Sequence, residues 1–179
     1  MRTAFAAALL LALPAAAAPA AKAPAKKAPC DLVVVAGHAL PMDAAFSVRA
    51  ATAVAVRAGE IVAVGDPAAI DAAWAPKQRI ERKDAVLLPG LVNTHGHAAM
   101  NLLRGLSNDQ PLMEWLTKYI FPAEGKNVSP EFVRAGTDLA CLEMIRGGTT
   151  TFADMYYFES DVAASVDRAG LRGVLGETW

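Results

Sequence analysis

The sequence predicts a protein of the α/β class, in which a small β-rich region precedes units that alternate strand and helix. Hydrophobic residues make up 54% of the 179 residues, which is enough to bury a core. Short β-rich runs separated by turns fill residues 30–87. After Gly90 the pattern changes to strand, helix, strand, helix, strand. We therefore expect two domains, at residues 30–87 and 88–179.

The first domain consists of short runs of β-branched and other apolar residues. Strands are predicted at 32–35, 51–56 and 60–64, and one or two helical turns are predicted at 68–74. Strands at such close intervals are typical of a small sandwich or sheet.

Helix signals organise the second domain. Ser129 as N-cap, Pro130 at the first helical position and Glu131 in the first turn predict a helix that runs to Arg146 and ends at Gly147-Gly148. Further helices are predicted at 111–119 and 160–169, and strands at 88–94, 149–154 and 171–176.

This alternation predicts parallel strand pairing with right-handed crossovers. A closed (β/α)₈ barrel takes about 250 residues, more than residues 88–179 provide. We therefore expect these units to be the first ones of such a barrel, and the chain to be the front part of a longer protein.

Residues 1–29 have the composition of a targeting segment and a linker. Arg2, the apolar run 4–13 and the small residues around Ala18-Pro19-Ala20 predict a signal peptide over residues 1–20, cleaved near Ala18–Ala20. Residues 21–29 are Ala, Pro and Lys, with Cys30 just beyond them, and predict an extended linker from 21 to 29. The apolar run is too short for a stable membrane anchor, so we expect an exported, periplasmic protein.

Charge and cysteine content narrow the function classes. The chain has 17 Lys and Arg against 18 Asp and Glu, which argues against a nucleic-acid partner. Cys30 and Cys141 could pair in an oxidising compartment, but Cys141 lies in an apolar stretch that is typical of a buried thiol. The sequence therefore favours two free cysteines.

The segment His95-Gly96-His97 says most about chemistry. It follows an apolar run with a Pro89-Gly90 break, at the far end of a predicted parallel strand, where α/β barrels place their reactive groups. In an extended strand, side chains two apart point to the same side, so both imidazoles can reach one ion. His-Glu-x-x-His and His-x-Glu with Cys-x-x-Cys are absent, which argues against zincin proteases and the cytidine-deaminase fold. The pair predicts half of a metal site.

Motifs over residues 89–156 match a known pattern. The run Pro89-Gly90-Leu91-Val92-Asn93-Thr94-His95-Gly96-His97, followed by Asn101-Leu102-Leu103-Arg104-Gly105-Leu106, resembles the amidohydrolase superfamily. The segments at 111–116, 121–124 and 147–156 resemble the branch of the 5'-methylthioadenosine/S-adenosylhomocysteine deaminases and s-triazine chlorohydrolases. The likeness covers residues 31–179. It implies the N-terminal part of a metal-dependent (β/α)₈ TIM barrel, preceded by a small composite β-sandwich domain.

The resemblance implies roles for four residues. His95 and His97 match two ligands of a single divalent metal per subunit, zinc or alternatively iron. Glu124 matches the acid that accepts hydrogen bonds from the ribose hydroxyls of a nucleoside, and Trp115 matches a lid-helix aromatic beside the thioether end of the substrate. No catalytic residue is expected in this chain, because the family's other ligands, its proton-shuttling Glu and its second catalytic His lie on later strands. His38 is the remaining histidine.

The implied activity is hydrolytic deamination of an adenosine thioether such as S-adenosylhomocysteine or 5'-methylthioadenosine. Metal-activated water attacks the purine C6 and ammonia leaves. A second interpretation keeps the hydrolase and changes the small-molecule substrate to guanine, another amino-heterocycle, a chlorotriazine or an amide. A third is a catalytically incompetent, truncated product. Glu124 as an exposed carboxylate, Trp115 as helix packing and assembly into a homo-oligomer all stay open at this point.

Overall fold

The computed structural model describes residues 26–178, which divide into two compact units. The first contains residues 26–39 and 49–86, and the second contains residues 40–48 and 87–178. The predicted signal peptide and most of the predicted linker lie outside this range. No helix within residues 26–178 is long and apolar enough to cross a membrane.

The strands are β1 (Ala28–Ala39), β2 (Arg49–Arg57), β3 (Glu60–Gly65), β4 (Trp74–Leu87), β5 (Leu91–Asn93), β6 (Thr149–Tyr156) and β7 (Arg172–Glu177). The α-helices are α1 (Pro67–Ala73), α2 (Leu112–Trp115), α3 (Phe121–Asn127), α4 (Pro130–Gly147) and α5 (Glu159–Ala169).

The first unit is a four-stranded sheet in the order β3-β2-β1-β4. β2 runs antiparallel to both β1 and β3. Small and aliphatic side chains form its core. They alternate along the strands with residues that point to the other face of the sheet. The core residues are Cys30, Val33, Val35, Ala53, Ala55 and Ile70. The three predicted strands and the short helix are confirmed, whereas a sandwich is not, since the described part of this unit holds a single sheet.

Two features of the first sheet differ from the sequence expectation. β1 begins at Ala28 and includes Pro29, two residues that the sequence assigned to the linker. Proline is tolerated at the start of a strand, where its missing N–H removes no essential ladder hydrogen bond. The 14-residue strand β4 was not predicted, because residues 77–84 are mostly charged and lack the expected apolar alternation.

The second unit contains a parallel sheet in the order β5-β6-β7, with both strand pairs parallel. This confirms the predicted α/β alternation. β5 is only three residues long, shorter than the predicted strand 88–94. Helices α4 and α5 pack with β6 around a core that includes Val133, Cys141, Phe152 and Val162. Both cysteines are free, as the sequence predicted, and Cys30 is buried as well as Cys141.

Local capping residues set the bounds of α4. The Ser129 hydroxyl oxygen accepts a hydrogen bond from the Phe132 N–H at 3.2 Å, and Gly148 ends the helix with φ of 84°. This left-handed conformation favours glycine. The predicted helix is confirmed to within one residue at its end.

The predicted helix 111–119 is the first part of a longer, irregular segment. After α2 the chain makes a π-helical turn over Leu116–Ile120 and continues as α3. Pro122 has no N–H to donate, so the regular hydrogen-bond ladder must break near this point. The π-helical turn, a feature frequent at functional sites, lies directly before it.

A 3₁₀ helix at Ala98–Leu103 connects the histidine segment to the rest of the unit. It packs against α4 at Gly136, where an added Cβ would clash with the Ala99 backbone. This close approach fixes the chain immediately after His97.

Candidate active site

His95 and His97 lie just beyond the carboxyl end of β5, in a turn that is hydrogen-bonded to β6. Their ring centroids are 5.2 Å apart, with the ring planes at 79°. The Asn93 Oδ1 accepts a hydrogen bond from the His95 N–H at 3.2 Å, and the Gly96 carbonyl accepts one from the Met155 N–H at 3.3 Å. The two imidazoles are therefore neighbours because the turn is attached to β6, and not because they continue strand β5.

The orientation of the His97 ring is fixed by the main chain of β6. Its Nδ1 lies 2.7 Å from the Met155 carbonyl oxygen. A carbonyl can only accept a hydrogen bond, so Nδ1 carries a proton, and in the neutral ring the lone pair is then on Nε2. Metal-binding histidines typically donate their second ring N–H to a backbone carbonyl in this way.

Asp154 holds the chain next to His97. Its Oδ1 accepts a hydrogen bond from the Ala98 N–H at 2.7 Å. Burial raises the pKa of this carboxyl, although the bond from Ala98 and the nearby His97 act in the opposite direction. A Cβ added at Gly96 would lie 3.1 Å from the Ala153 carbonyl oxygen, so the turn and β6 are closely packed here. These contacts give Asp154 a structural role, because its carboxyl group holds the turn against β6.

The histidine pair fits two positions of a metal site without completing one. Within residues 26–178, no group of three or more His, Cys, Asp and Glu side chains is placed to hold a metal ion. Catalytic zinc sites use three protein ligands and leave one position for water or substrate. The described residues therefore supply two ligands at most.

One cleft of about 330 Å³ brings together three of the four residues that the sequence singled out. His97, Trp115 and Glu124 line it, whereas His95 is not among its lining residues. The rest of the wall is mainly apolar and aromatic, which is usual for a small-molecule site. It consists of Met100, Leu112, Leu116, Ile120, Phe121, Met155, Tyr156, Tyr157 and Thr178.

Glu124 is a buried carboxylate in the wall of this cleft. It is 9% exposed, so it is not the solvated surface acid that remained an alternative. The Tyr156 hydroxyl donates a hydrogen bond to Glu124 Oε1 at 2.8 Å. Oε2 accepts no hydrogen bond from the residues that the structure describes. The cleft thus contains a carboxylate oxygen that is available to a ligand hydroxyl.

Trp115 lies on the segment formed by α2 and the π-helical turn. Its indole N–H donates to the Leu106 carbonyl at 3.1 Å, which holds the ring against the preceding loop. The ring contributes to the cleft wall and also packs locally. Both interpretations of Trp115 are therefore compatible with its position.

Sequence reasoning missed two buried polar residues near the carboxyl end of β6. Tyr156 is 4% exposed, and burial together with the bond to Glu124 raises its pKa, so it stays protonated. Glu159 is 6% exposed, and neither of its carboxylate oxygens has a hydrogen-bond partner of good geometry in the described part of the chain. Burial, reinforced by the nearby Asp154, raises the pKa of Glu159 to about 7. Tyr156 lies in a motif that the sequence had already identified, whereas Glu159 precedes the predicted helix 160–169 and belongs to no motif.

The fold and the site define a class: an α/β protein with a histidine pair and a buried acid at the carboxyl ends of parallel strands. The model of the amidohydrolase family matches residues 86–178. The chain belongs to this family, which confirms the superfamily that the motifs indicated.

Curated relatives extend well beyond the length of this chain. A protein of Syntrophobacter fumaroxidans named 5-methylthioadenosine/S-adenosylhomocysteine deaminase is 49% identical over 147 residues, which are 82% of this chain and 33% of the relative. A protein of the same name from Nitratidesulfovibrio vulgaris is 46% identical over 148 residues, with 83% and 33% covered. The chain thus spans about a third of the length of these relatives.

Solved structures agree with the family and the fold. An adenosine deaminase from Xanthomonas campestris with bound zinc has a TM-score of 0.79 and 44% identity, over 83% of this chain and 34% of its own. A zinc-complexed atrazine chlorohydrolase from Arthrobacter aurescens has a TM-score of 0.70 at 19% identity, over 82% and 35%. The second likeness shows the fold alone. Together they support an α/β fold that corresponds to part of a TIM-type barrel.

Proposed function

We propose that this chain is the substrate-binding front part of a metal-dependent aminohydrolase that deaminates an adenosine thioether, S-adenosylhomocysteine or 5'-methylthioadenosine. The observation that carries the proposal is Glu124: a buried carboxylate with one unoccupied oxygen, in the same cleft as His97. A carboxylate at such a position can accept hydrogen bonds from a ribose diol. The names of the relatives at 46% and 49% identity support the same reaction.

His95 and His97 are proposed to bind one zinc ion per subunit, with iron as the alternative. The fixed Nδ1–H of His97 supports this, since it leaves Nε2 as the ligand atom. The bound metal would supply Lewis-acid activation of water for attack on the purine C6. The residues of this chain would orient the nucleoside through Glu124 and the aromatic wall, and no catalytic acid or base is assigned to it.

We further propose that the active protein contains additional barrel strands and a complete β-sandwich. Leu91, Val92 and Val174 on β5 and β7 are exposed apolar residues, although parallel sheets are normally covered on both faces. The length of the relatives supports the same proposal.

The experiment uses the polypeptide encoded by the full reading frame that contains this chain, purified with zinc. Loss of the adenine absorbance on addition of either thioether is the expected result. Glu124→Gln should lower kcat/KM for ribonucleosides by about 10- to 100-fold, the value of a hydrogen bond to a charged group. Glu114→Gln is the matched control, because Glu114 pairs with Lys118 and does not line the cleft. Absence of turnover of both thioethers by wild-type protein would exclude the proposed substrate.

The alternative substrates are tested in the same assay. Guanine and chlorotriazines lack a ribose diol, so Glu124→Gln should leave their turnover nearly unchanged. Turnover of one of these compounds in place of the thioethers would move the assignment to another amidohydrolase reaction. Inactivity toward all of them, with no metal retained after dialysis, would favour the incompetent product.

Export to the periplasm is proposed on the sequence of residues 1–20 alone. N-terminal sequencing of protein recovered from cell fractions tests it directly. A mature N-terminus near Ala18–Ala20 in the periplasmic fraction is expected, and an intact Met1 in the cytoplasmic fraction would overturn the proposal.

A further inference from the structure

We propose that Tyr156 is a positioning residue that holds the Glu124 carboxylate for a ribose diol and so sets the preference of the cleft for ribonucleosides. This inference rests on the proposed function, which assigns ribose recognition to Glu124. It adds a specificity-determining residue that does not itself need to contact the substrate.

Among the described residues, the Tyr156 hydroxyl is the single hydrogen-bond donor to the side-chain carboxylate of Glu124. Both side chains are more than nine-tenths buried, and both line the cleft. A buried carboxylate without a donor is costly, so this contact determines which orientation of Glu124 is stable. Tyr156 remains protonated at neutral pH, because burial raises its pKa, and therefore remains a donor.

The tyrosine is anchored better than the acid. Tyr156 pairs with Glu177 in the β6–β7 ladder, and its main-chain carbonyl accepts a hydrogen bond from the Thr178 N–H at 2.8 Å. Its ring also meets that of Tyr157 edge-on, at a centroid distance of 5.2 Å. Glu124 instead lies on α3, directly after the π-helical turn. The strand therefore fixes the position of the hydroxyl, and the hydroxyl fixes the carboxylate.

The hydrogen bond from Tyr156 makes the two carboxylate oxygens of Glu124 different from each other. Tyr156 donates to Oε1, and Oε2 has no donor in the described chain. A carboxylate has about four acceptor positions, so adjacent hydroxyls of a ribose can still be accepted, at Oε2 and at the remaining position of Oε1. Without the tyrosine, Glu124 can turn away from the cleft, and this change removes the acceptor.

The test is Tyr156→Phe in the full-reading-frame protein, assayed with methylthioadenosine and with its 2',3'-dideoxy counterpart. The expected result is a loss of about ten-fold or more in kcat/KM for the ribonucleoside, mainly through KM. The dideoxy compound should change by less than about two-fold, since it has no diol to place. In a Glu124→Gln background, Tyr156→Phe should add little, because residues that act through one contact are not additive.

Tyr119→Phe is the matched control. Tyr119 lies on the π-helical turn, which precedes Glu124 in the sequence. It is partly exposed and does not line the cleft. It removes the same hydroxyl group and should leave both substrates unaffected.

A merely structural role for Tyr156 predicts an equal loss for both nucleosides, and this outcome, or no loss at all, would overturn the inference. If the phenylalanine variant fails to fold, 3-fluorotyrosine at position 156 keeps the shape and alters the hydrogen-bond strength. It should change KM for the ribonucleoside alone, and unchanged or parallel KM values would again overturn the inference.

Failure of this inference and failure of the proposed function, on which it rests, give different results. Binding is followed by quenching of tryptophan fluorescence, with Trp115 in the cleft wall as the reporter. If wild-type protein neither binds nor turns over the ribonucleoside, the proposed function fails, and the inference fails with it. If wild-type protein is active and Tyr156→Phe keeps the wild-type ratio between the two nucleosides, only the inference fails.

Discussion

The two units of the chain differ in whether they bury acidic side chains. In the first unit, the ion pairs lie at the surface, as in Lys77–Asp31 at 2.7 Å and Arg79–Asp71 at 2.6 Å. The second unit has surface ion pairs as well, such as Arg104–Glu143, but it also buries the acids Glu124, Asp154 and Glu159. The first unit therefore keeps a core of small and aliphatic residues, whereas the second unit also buries carboxyl groups, on β6 and on the helices α3 and α5.

This difference separates the part of the chain that carries chemistry from the part that does not. Burying a carboxyl group costs free energy unless a partner compensates it, so buried acids are informative and surface pairs are not. Asp154 and Glu159 lie near the carboxyl end of the parallel strand β6, where α/β proteins place their ligand sites, and Glu124 on α3 is hydrogen-bonded to Tyr156 of the same strand.

The largest expected effect comes from the histidines. His97→Ala in the full-reading-frame protein should remove bound zinc and lower deaminase activity by on the order of 10³-fold or more, because a catalytic metal then has too few ligands. Zinc content after dialysis, measured by mass spectrometry, and initial rates provide the check. His38→Ala is the matched control, since His38 is an exposed residue of β1 in the antiparallel sheet. Retention of a full zinc equivalent by the His97 variant would contradict the assignment.

The second effect concerns packing beneath the site. Phe152 is completely buried in β6, with Val133, Cys141 and Val162 in the same core. Phe152→Ala should lower the free energy of unfolding by about 3–5 kcal/mol, the usual cost of a large cavity. Phe46→Ala removes the same ring from an exposed position and should cost less than about 0.5 kcal/mol. Urea unfolding of both variants tests the contrast, and similar midpoints would mean that β6 is not a packed core strand.

The elements that sequence reasoning predicted well are those with local signals. Ser129, Pro130 and Gly148 define the two ends of α4 through contacts within one turn of the chain, so their effect can be read directly. β4 depends instead on pairing within a sheet, and its charged residues gave no apolar alternation. Its formation is a non-local property that propensity does not contain.

The candidate site also depends on non-local contacts that sequence patterns do not contain. The motif predicted that His95 and His97 lie together, and they do, but the reason differs: β5 ends at Asn93, and β6 holds the turn. Glu124 came from the family resemblance, and its donor Tyr156 is 32 residues away in sequence. No pattern along the chain indicates a hydrogen bond across that separation.

The third effect is a dependence of stability on pH that only the second unit should show. The pKa of Glu159 is raised from 4.5 to about 7 by burial, with the charges of Asp154 and Glu177 acting in the same direction. Between these values the folded state keeps a proton that the unfolded state has lost, so stability falls as pH rises through this window. The full effect is about 3 kcal/mol at most.

Glu159→Gln removes the titrating group, so its unfolding midpoint should decline less than that of wild type between pH 5 and pH 8. Glu131→Gln is the control, because Glu131 is exposed and its pKa is lowered, which confines its own effect to acid pH. Identical pH profiles for wild type and Glu159→Gln would show that the Glu159 carboxyl finds a compensating donor in the intact protein.

The smallest effect is expected at a surface pair of the first unit. The Arg82 Nε and the Asp84 Oδ1 are 3.1 Å apart. Both side chains are well over half exposed, so water and salt screen their attraction. Asp84→Asn should leave the urea midpoint unchanged within measurement error, at low salt and at high salt. The pair lies on β4, whose charges hid the strand from sequence analysis, and this result would show that those charges are compatible with the sheet without stabilising it. A clear, salt-dependent destabilisation would show instead that the antiparallel sheet depends on its ion pairs, and the contrast between the two units would then be one of burial alone.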